Sequence, residues 1–291
     1  VVAIHRAAYL ISPDSQAVRA RHVLLVGPTD QYVRHVAAIR DQLVGDSDRL
    51  EVRSMPGLLK ELVHPDNSRL RGGIAYSWQD VDRRLAVMAH EAASRIRATR
   101  VAGNDSQKAV MLAYELLRSN GSPQRPVTHE SEWSAYLGRL PTYETALSRR
   151  STQPLLAMIC WILDRPVTMR KYTHIVVDEA QDVLPLEWAL LDEMNAGDEW
   201  TILGDLNQRR SDFALHSWSH VADELGILDD SGQPPIRSME IGYRSTKQII
   251  QFANQLLPKS DRLLTSLQQN GDEPTVEPAL QRDLVARTVA S

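Results

Sequence analysis

The sequence predicts an α/β fold: a parallel sheet with helices on both faces, interrupted by a helical insertion. Three observations carry this. Short continuous apolar runs, such as HVLLVG at 22–27 and the strand-like YTHIVV at 172–177, read as strands of a buried parallel sheet. The segments between such runs space their apolar residues three and four apart, as helices do. From about Asn67 to Arg170 strand signals vanish and amphipathic helical patterns follow one another.

The elements follow in order. Residues 1–11 put Val1, Ile4, Ala8 and Ile11 on one helical stripe, and Pro13-Asp14 ends it. His22 to Gly27 is a strand, and 30–43 is a helix through Val33, Val36, Ile39 and Leu43. Leu50 to Met55 reads as a second strand, after which Pro56 opens a short helix. Trp78 to Val101 is expected as one long helix burying Val81, Leu85, Met88, Ala92 and Ile96. Gln107 to Leu117 repeats the pattern, 119–128 is a polar loop, and three shorter helices end with the one holding Cys160. The α/β pattern then resumes: a strand from Tyr172 to Val177, a helix after Pro185, a strand from Trp200 to Leu203, and a helix over Ser217 to Leu225. A last strand is expected over Ile236 to Ile241, followed by a helix capped by Ser245 or Thr246.

Composition bounds the function. The 291 residues are 43% hydrophobic and 24% charged, an ordinary globular balance. A net charge of −4 supplies no global attraction to nucleic acid, so any such site must be a local patch. The single cysteine, Cys160, excludes an internal disulfide and fits a reducing cytoplasm; its apolar setting marks a core thiol. No apolar run reaches the length of a membrane span, so no membrane partner is expected. The nine histidines are expected to hold no metal, and the arginines at 95, 97 and 100 are expected on a solvated face. The tryptophans read as packing residues, with Trp133 the one to watch as a partner contact. The chain starts without methionine, as though inside a helix that begins upstream, so a chain lacking its N-terminal part is expected.

Three strand ends carry the chemistry. In DEAQD, a buried strand delivers Asp178 and Glu179 to one point above the sheet edge. That arrangement suits Mg²⁺ held through its water shell by the first carboxylate, and a water oriented or deprotonated by the second. In GDLNQ, a small residue, Asp205 and Gln208 stand at the next strand's end, the edge where open α/β sheets bind ligands. In GYRST, Arg244 is placed to reach a terminal phosphate. Taken singly, each has a plainer reading: a solvated acidic loop, a turn, a surface arginine. Together, in this order and one strand–helix unit apart, they are specific.

The chain resembles superfamily 1 helicases of the UvrD/Rep type. DEAQD is similar to their Mg²⁺ and water-activating motif, GDLNQ to the next, with Gln208 at the γ-phosphate-sensing place, and GYRST to the one after, with Tyr243 at the adenine-stacking place and Arg244 at the γ-phosphate. The resemblance implies a RecA-like P-loop NTPase core that binds ATP and Mg²⁺. It implies Asp178 as the water-mediated metal holder, Glu179, Gln208 and Arg244 as catalytic, and Asp178, Asp205, Gln208, Tyr243 and Arg244 as cofactor-binding. VVAIHRAAYLI resembles the helix after the family's GKT loop; VLLVGPTDQYVRHV and MEIGYRSTKQIIQFANQLLP are most similar to the HelD-type ATPases that act on RNA polymerase.

The implied organisation is 1–66 and 171–258 as two parts of the first RecA-like domain, 67–170 as the helical insertion, and 259–291 as the start of the following segment. The implied partners are single-stranded or duplex DNA, RNA polymerase, or both, and a second RecA-like domain outside this chain. The departures point away from unwinding. No GxxGxGK[ST] loop occurs, and Val26-Gly27-Pro28-Thr29 lacks the aromatic on which a base would stack. The expected function is therefore part of an ATP-dependent helicase-like ATPase, a half-site that does not hydrolyse ATP alone. The alternative is an RNA-polymerase-binding factor whose ATPase regulates release.

Overall fold

The structure, a computed structural model, describes residues 2–12, 22–45, 47–63, 77–257 and 264–276. It divides into two units, Val1–Pro234 and Pro235–Ser291. The expected stop at Pro13-Asp14 and the boundary at 66/67 fall outside the described residues.

The first unit is mixed α/β. It runs α1 (Val2–Ile11), β1 (Val23–Gly27), α2 (Asp30–Val44), β2 (Leu50–Ser54) and α3 (Met55–Val63). A helical stretch follows: α4 (Arg84–Thr99), α5 (Ser106–Arg118), a small hairpin of β3 (Gly121–Ser122) and β4 (Arg125–Pro126), then α6 (Ser131–Leu137), α7 (Tyr143–Ala146) and α8 (Gln153–Leu163). The unit closes with β5 (Tyr172–Val177), α9 (Pro185–Met194), β6 (Asn195–Ile202) and α10 (Trp218–Leu225). The sheet has the order β2-β1-β5-β6, and every pair is parallel.

Strand alternation sends successive side chains to opposite faces. Val23 and Leu25 of β1 and Val176 of β5 pack with Ile4, Ala7 and Leu10 of α1 and Val36 of α2. Leu24, Val26, Ile175 and Val177 face the larger core, which includes side chains of α3, α4, α5, α6, α8 and α9. Both faces are thus covered by helices, as continuous apolar strands require. The helical stretch does not stand apart from the sheet: Leu85, Tyr114, Trp133 and Ile159 belong to the same apolar cluster as Leu24 and Ile175.

Several expectations need correction. The expected helix over 78–101 is broken. Trp78–Val81 is a 3₁₀ turn, and α4 restarts at Arg84 because the Asp82 carboxylate accepts the Arg84 backbone N–H (2.8 Å). The polar loop at 119–128 contains the β3–β4 hairpin, pinned by Asn120 Oδ1, which accepts the N–H groups of Val127 (3.1 Å) and Thr128 (3.0 Å). Strand β6 begins at Asn195, ahead of Trp200: Asn195 is buried but polar, and 196–199 are exposed, so apolar patterning does not mark this stretch. Ala8 is half-buried, while Ala3, Ala7 and Leu10 complete the buried face of α1.

In the second unit β7 (Ile241–Thr246) and β8 (Thr265–Gln268) pair in parallel, with α11 (Lys247–Leu256) between them in sequence. The strand expected over 236–241 is not there. Residues 236–240 have no regular structure, Ile236 and Met239 are exposed, and the β-rich run IGYRST pairs instead. GYRST therefore lies within a strand. Thr246 holds the N-cap position of α11, but its side chain makes no capping hydrogen bond.

Among the described residues no helix is long and apolar enough to cross a membrane.

Candidate functional site

The ends of β1, β5 and β6 are level. Val26 pairs with Val177, and Val177 with Ile202. The ladder continues one residue further: Asp178 N–H donates to Val26 O (2.9 Å) and Leu203 N–H to Val177 O (2.8 Å). Asp178 is therefore held by backbone bonds at the carboxyl edge, between the ends of two neighbouring strands. Glu179 follows with φ 55° and ψ 40°, a left-handed conformation that few non-glycine residues adopt. This turns the chain sharply and leaves Glu179 exposed while Asp178 stays half-buried.

Each Asp178 oxygen accepts one hydrogen bond. Oδ2 receives the Tyr32 hydroxyl (2.7 Å) and Oδ1 the Glu179 backbone N–H (3.2 Å). Burial, and then the bond to Asp178, push the Tyr32 phenol well above its ordinary range, so it stays a donor. Among the described residues neither Asp178 nor Glu179 forms an ion pair; Asp182, three and four residues on, is paired with Arg210 at 2.6 Å. Arg210 also donates its backbone N–H (2.9 Å) and its Nε (2.8 Å) to that carboxylate. The bond to Asp182 holds the guanidinium in its charged form. The first two acids are left unneutralised and the third is spent on structure.

Gln181 joins this loop to the next. It is buried, its Nε2 donates to Glu179 Oε2 (2.8 Å), and its Oε1 accepts the Asp205 N–H (3.0 Å). Gly204 leaves room for this: a β-carbon there would stand 2.6 Å from Gln181 Oε1 and 2.8 Å from Trp218 Cη2. Asp205 organises its own loop, its Oδ1 accepting the Asn207 N–H (2.9 Å) and its Oδ2 the Gln208 side-chain amide (2.8 Å). A continuous hydrogen-bonded chain thus runs Glu179–Gln181–Asp205–Gln208.

Asp178, Glu179, Asp205 and Gln208 are brought together at one sheet edge. Tyr243 and Arg244 belong to β7 of the second unit; Arg244 is exposed there, and the Tyr243 side chain lies outside the described residues. The sequence reading missed Tyr32 and left Gln181 without a role. The signal for Gln181 was inside DEAQD itself, whereas Tyr32 lies 146 residues from its partner and carries no local mark.

The chemistry of Asp178 fits a hydrated divalent cation. Its carboxylate is half-buried, fixed at both oxygens, free of ion pairing among the described residues, and retains lone pairs beyond the two in use. Among the described residues no group of three or more His, Cys, Asp and Glu side chains comes together to hold a metal. A cation there would complete its shell with water and phosphate oxygens, the habit of Mg²⁺. One histidine pair with metal spacing, His216 and His220 in HSWSH, was overlooked; His216 precedes the N-cap Ser217, so the two do not share a helix face.

Other flagged residues are structural. Trp133 is 1% exposed and lies edge-on to Trp78 with the Arg84 guanidinium over its ring, so it is not a surface contact. Arg95 donates to the carbonyls of Arg125 (2.6 Å) and Pro126 (2.9 Å), holding the hairpin. Burial pushes the Cys160 thiol up to about 12, which leaves it inert as a nucleophile.

Neither the models of known protein families nor the curated proteins match this chain.

Proposed function

We propose that the first unit carries part of the nucleotide site of a superfamily 1 ATPase similar to the UvrD/Rep type, on a RecA-like core, binding ATP with Mg²⁺. One observation carries the reading: an Asp178–Glu179 pair, without an ion pair among the described residues, at the carboxyl edge of a parallel sheet and hydrogen-bonded through Gln181 to the Asp205–Gln208 loop. When bound, Mg²⁺ supplies charge neutralisation for the phosphates. Asp178 holds its water shell. Glu179, exposed and oriented by Gln181, is the group that would take the proton of an attacking water in a complete site. Gln208 senses the terminal phosphate, and the chain of bonds back to Glu179 ties that sensing to the base. Tyr243 and Arg244 are assigned to adenine and γ-phosphate by the same resemblance.

Mg²⁺-dependent binding of a fluorescent ATP analogue to the whole chain tests this. Asp178→Asn is expected to weaken it by about 10–100-fold, since the carboxylate that anchors the cation's water shell is lost. Equal binding by wild type and Asp178→Asn sinks the reading. The chain contains no GxxxxGK[ST] sequence to cradle phosphates, so no appreciable hydrolysis is expected from it. Glu179-dependent turnover by the purified chain would overturn that.

A specific observation favours the second reading, a HelD-like factor that binds RNA polymerase and uses ATP to regulate release. Tyr32, the aromatic nearest in sequence to the Gly27-Pro28-Thr29 turn, points its hydroxyl at Asp178. It is thereby committed to the sheet edge where a helicase would offer a base-stacking platform. The whole chain retaining core RNA polymerase, with no salt-sensitive single-strand affinity, favours this reading; the reverse result favours the helicase.

A further inference from the structure

Tyr32 stands in the first turn of α2, where its backbone N–H is fixed by the Thr29 hydroxyl (3.2 Å). Its ring lies against Gly27, the last residue of β1; a β-carbon there would stand 2.1 Å from Tyr32 Cδ1 and 2.3 Å from Cε1. The missing side chain is thus what lets the ring reach across the end of β1. At the far end of that ring the hydroxyl meets Asp178 Oδ2 at 2.7 Å.

This geometry does more than fill space. A carboxylate with one held oxygen turns about its Cβ–Cγ bond; one gripped at both does not. The Glu179 N–H holds Oδ1 and the Tyr32 hydroxyl holds Oδ2, so the plane of the Asp178 carboxylate is set before any ligand arrives. The two bonds leave about two of its roughly four lone-pair sites free. Groups that orient from behind a carboxylate that holds a cation, directly or through its water shell, affect affinity, because they remove the cost of ordering it at binding. We propose that Tyr32 is a positioning residue for a divalent cation at Asp178, acting through its hydroxyl; this rests on the reading of Asp178 as the metal holder. Were Tyr32 only a packing residue, the ring would suffice and the hydroxyl would be dispensable.

The test is Mn²⁺ titration of the whole chain, read from the electron paramagnetic resonance amplitude of the free ion, with melting temperature measured alongside. Tyr32→Phe is expected to weaken Mn²⁺ binding about 10-fold without lowering the melting temperature appreciably. Asp178→Asn is expected to abolish binding over the same range. Placing p-aminophenylalanine at position 32, which keeps a donor at the para position of the ring, is expected to restore most of the affinity. It separates the donor from the packing even where the phenylalanine variant folds poorly. Loss of binding in Asp178→Asn with full affinity in Tyr32→Phe, or failure of the para-amino ring to rescue, overturns the role of Tyr32 and leaves the metal reading standing. Equal Mn²⁺ binding by wild type and Asp178→Asn, or none by either, overturns both.

Discussion

The two ends of the parallel sheet each present a tyrosine that donates to a carboxylate, and they differ in what else surrounds it. At the amino end, the Tyr172 hydroxyl donates to Glu51 Oε2 at 2.8 Å. Arg170 lies 3.2 Å from Glu51 Oε1, and Arg53 lies 3.6 Å from Oε2. At the carboxyl end, the Tyr32 hydroxyl donates to Asp178 at 2.7 Å, and among the described residues no cation joins it. The same bond stands in two electrostatic settings. Where arginines complete the charge, the cluster ties β2, β5 and the segment before β5 together. Where they are absent, the negative pair keeps a field that a cation from solution can satisfy. Asp182, neutralised by Arg210 four residues beyond Asp178, shows that arginines are at hand and are not spent on the first two acids.

The largest stability effect that sharpens this contrast lies in the helix that follows the DEAQD loop. Glu187, in the first turn of α9, forms no ion pair among the described residues; it is buried, with Oε2 accepting the Leu184 N–H at 3.0 Å. Burial raises its carboxyl to about 7 from an ordinary 4.5, against a lowering by that backbone bond. A raised carboxyl favours the protonated fold, so its stabilising contribution is full below pH 4.5 and is lost as pH rises through about 7. Glu187→Gln keeps the acceptor and removes the charge. It is expected to be the more stable chain at pH 8 by on the order of 2–3 kcal/mol, with the difference vanishing near pH 4. Denaturant melts at the two pH values check this, and equal midpoints at pH 8 refute it.

Next in size is the comparison of the two ends themselves. Glu51→Gln leaves Arg170 and Arg53 without their shared anion and is expected to cost about 1–2 kcal/mol, less than a fully buried pair would lose because the arginines are partly exposed. Asp178→Asn relieves the repulsion between adjacent acids and is expected to change stability by less than about 0.5 kcal/mol, or to raise it, while metal binding is lost. Urea midpoints for both variants measure the asymmetry; an equal loss at the two ends would erase the distinction drawn here.

The smallest effect concerns the turn that aims the second acid. Glu179 adopts φ 55°, and relieving that strain with Glu179→Gly is expected to return about 1 kcal/mol or less, since glycine's own backbone entropy opposes it. A glycine variant less stable than wild type would mean that the Gln181 bond to Glu179 outweighs the strain.

Much of the fold was legible because its signals are local. Continuous apolar runs marked β1 and β5, the 3.6-residue period marked α2 and α5, and Pro185 marked the start of α9. Misplaced elements failed for physical reasons. Strand β6 escaped notice because its first residue, Asn195, is polar and the next four are exposed, and hydropathy reads burial rather than hydrogen bonding. The apolar residues Ile236 and Met239 suggested a strand, but β structure needs a neighbour, and the neighbour β8 pairs with Ile241 and Gly242.

For the site, sequence alone determined which residue types end the strands: Asp178 and Glu179 after β5, Asp205 and Gln208 after β6. Those follow from chain order, since a strand must deliver whatever residue comes next. Tertiary structure alone decided which acids stay unneutralised, that Gln181 joins the two loops, and that Tyr32 passes Gly27 to hold Asp178. These depend on the register of parallel strands and on how closely side chains approach across it. Partners so far apart in sequence are fixed by packing, which no local pattern records.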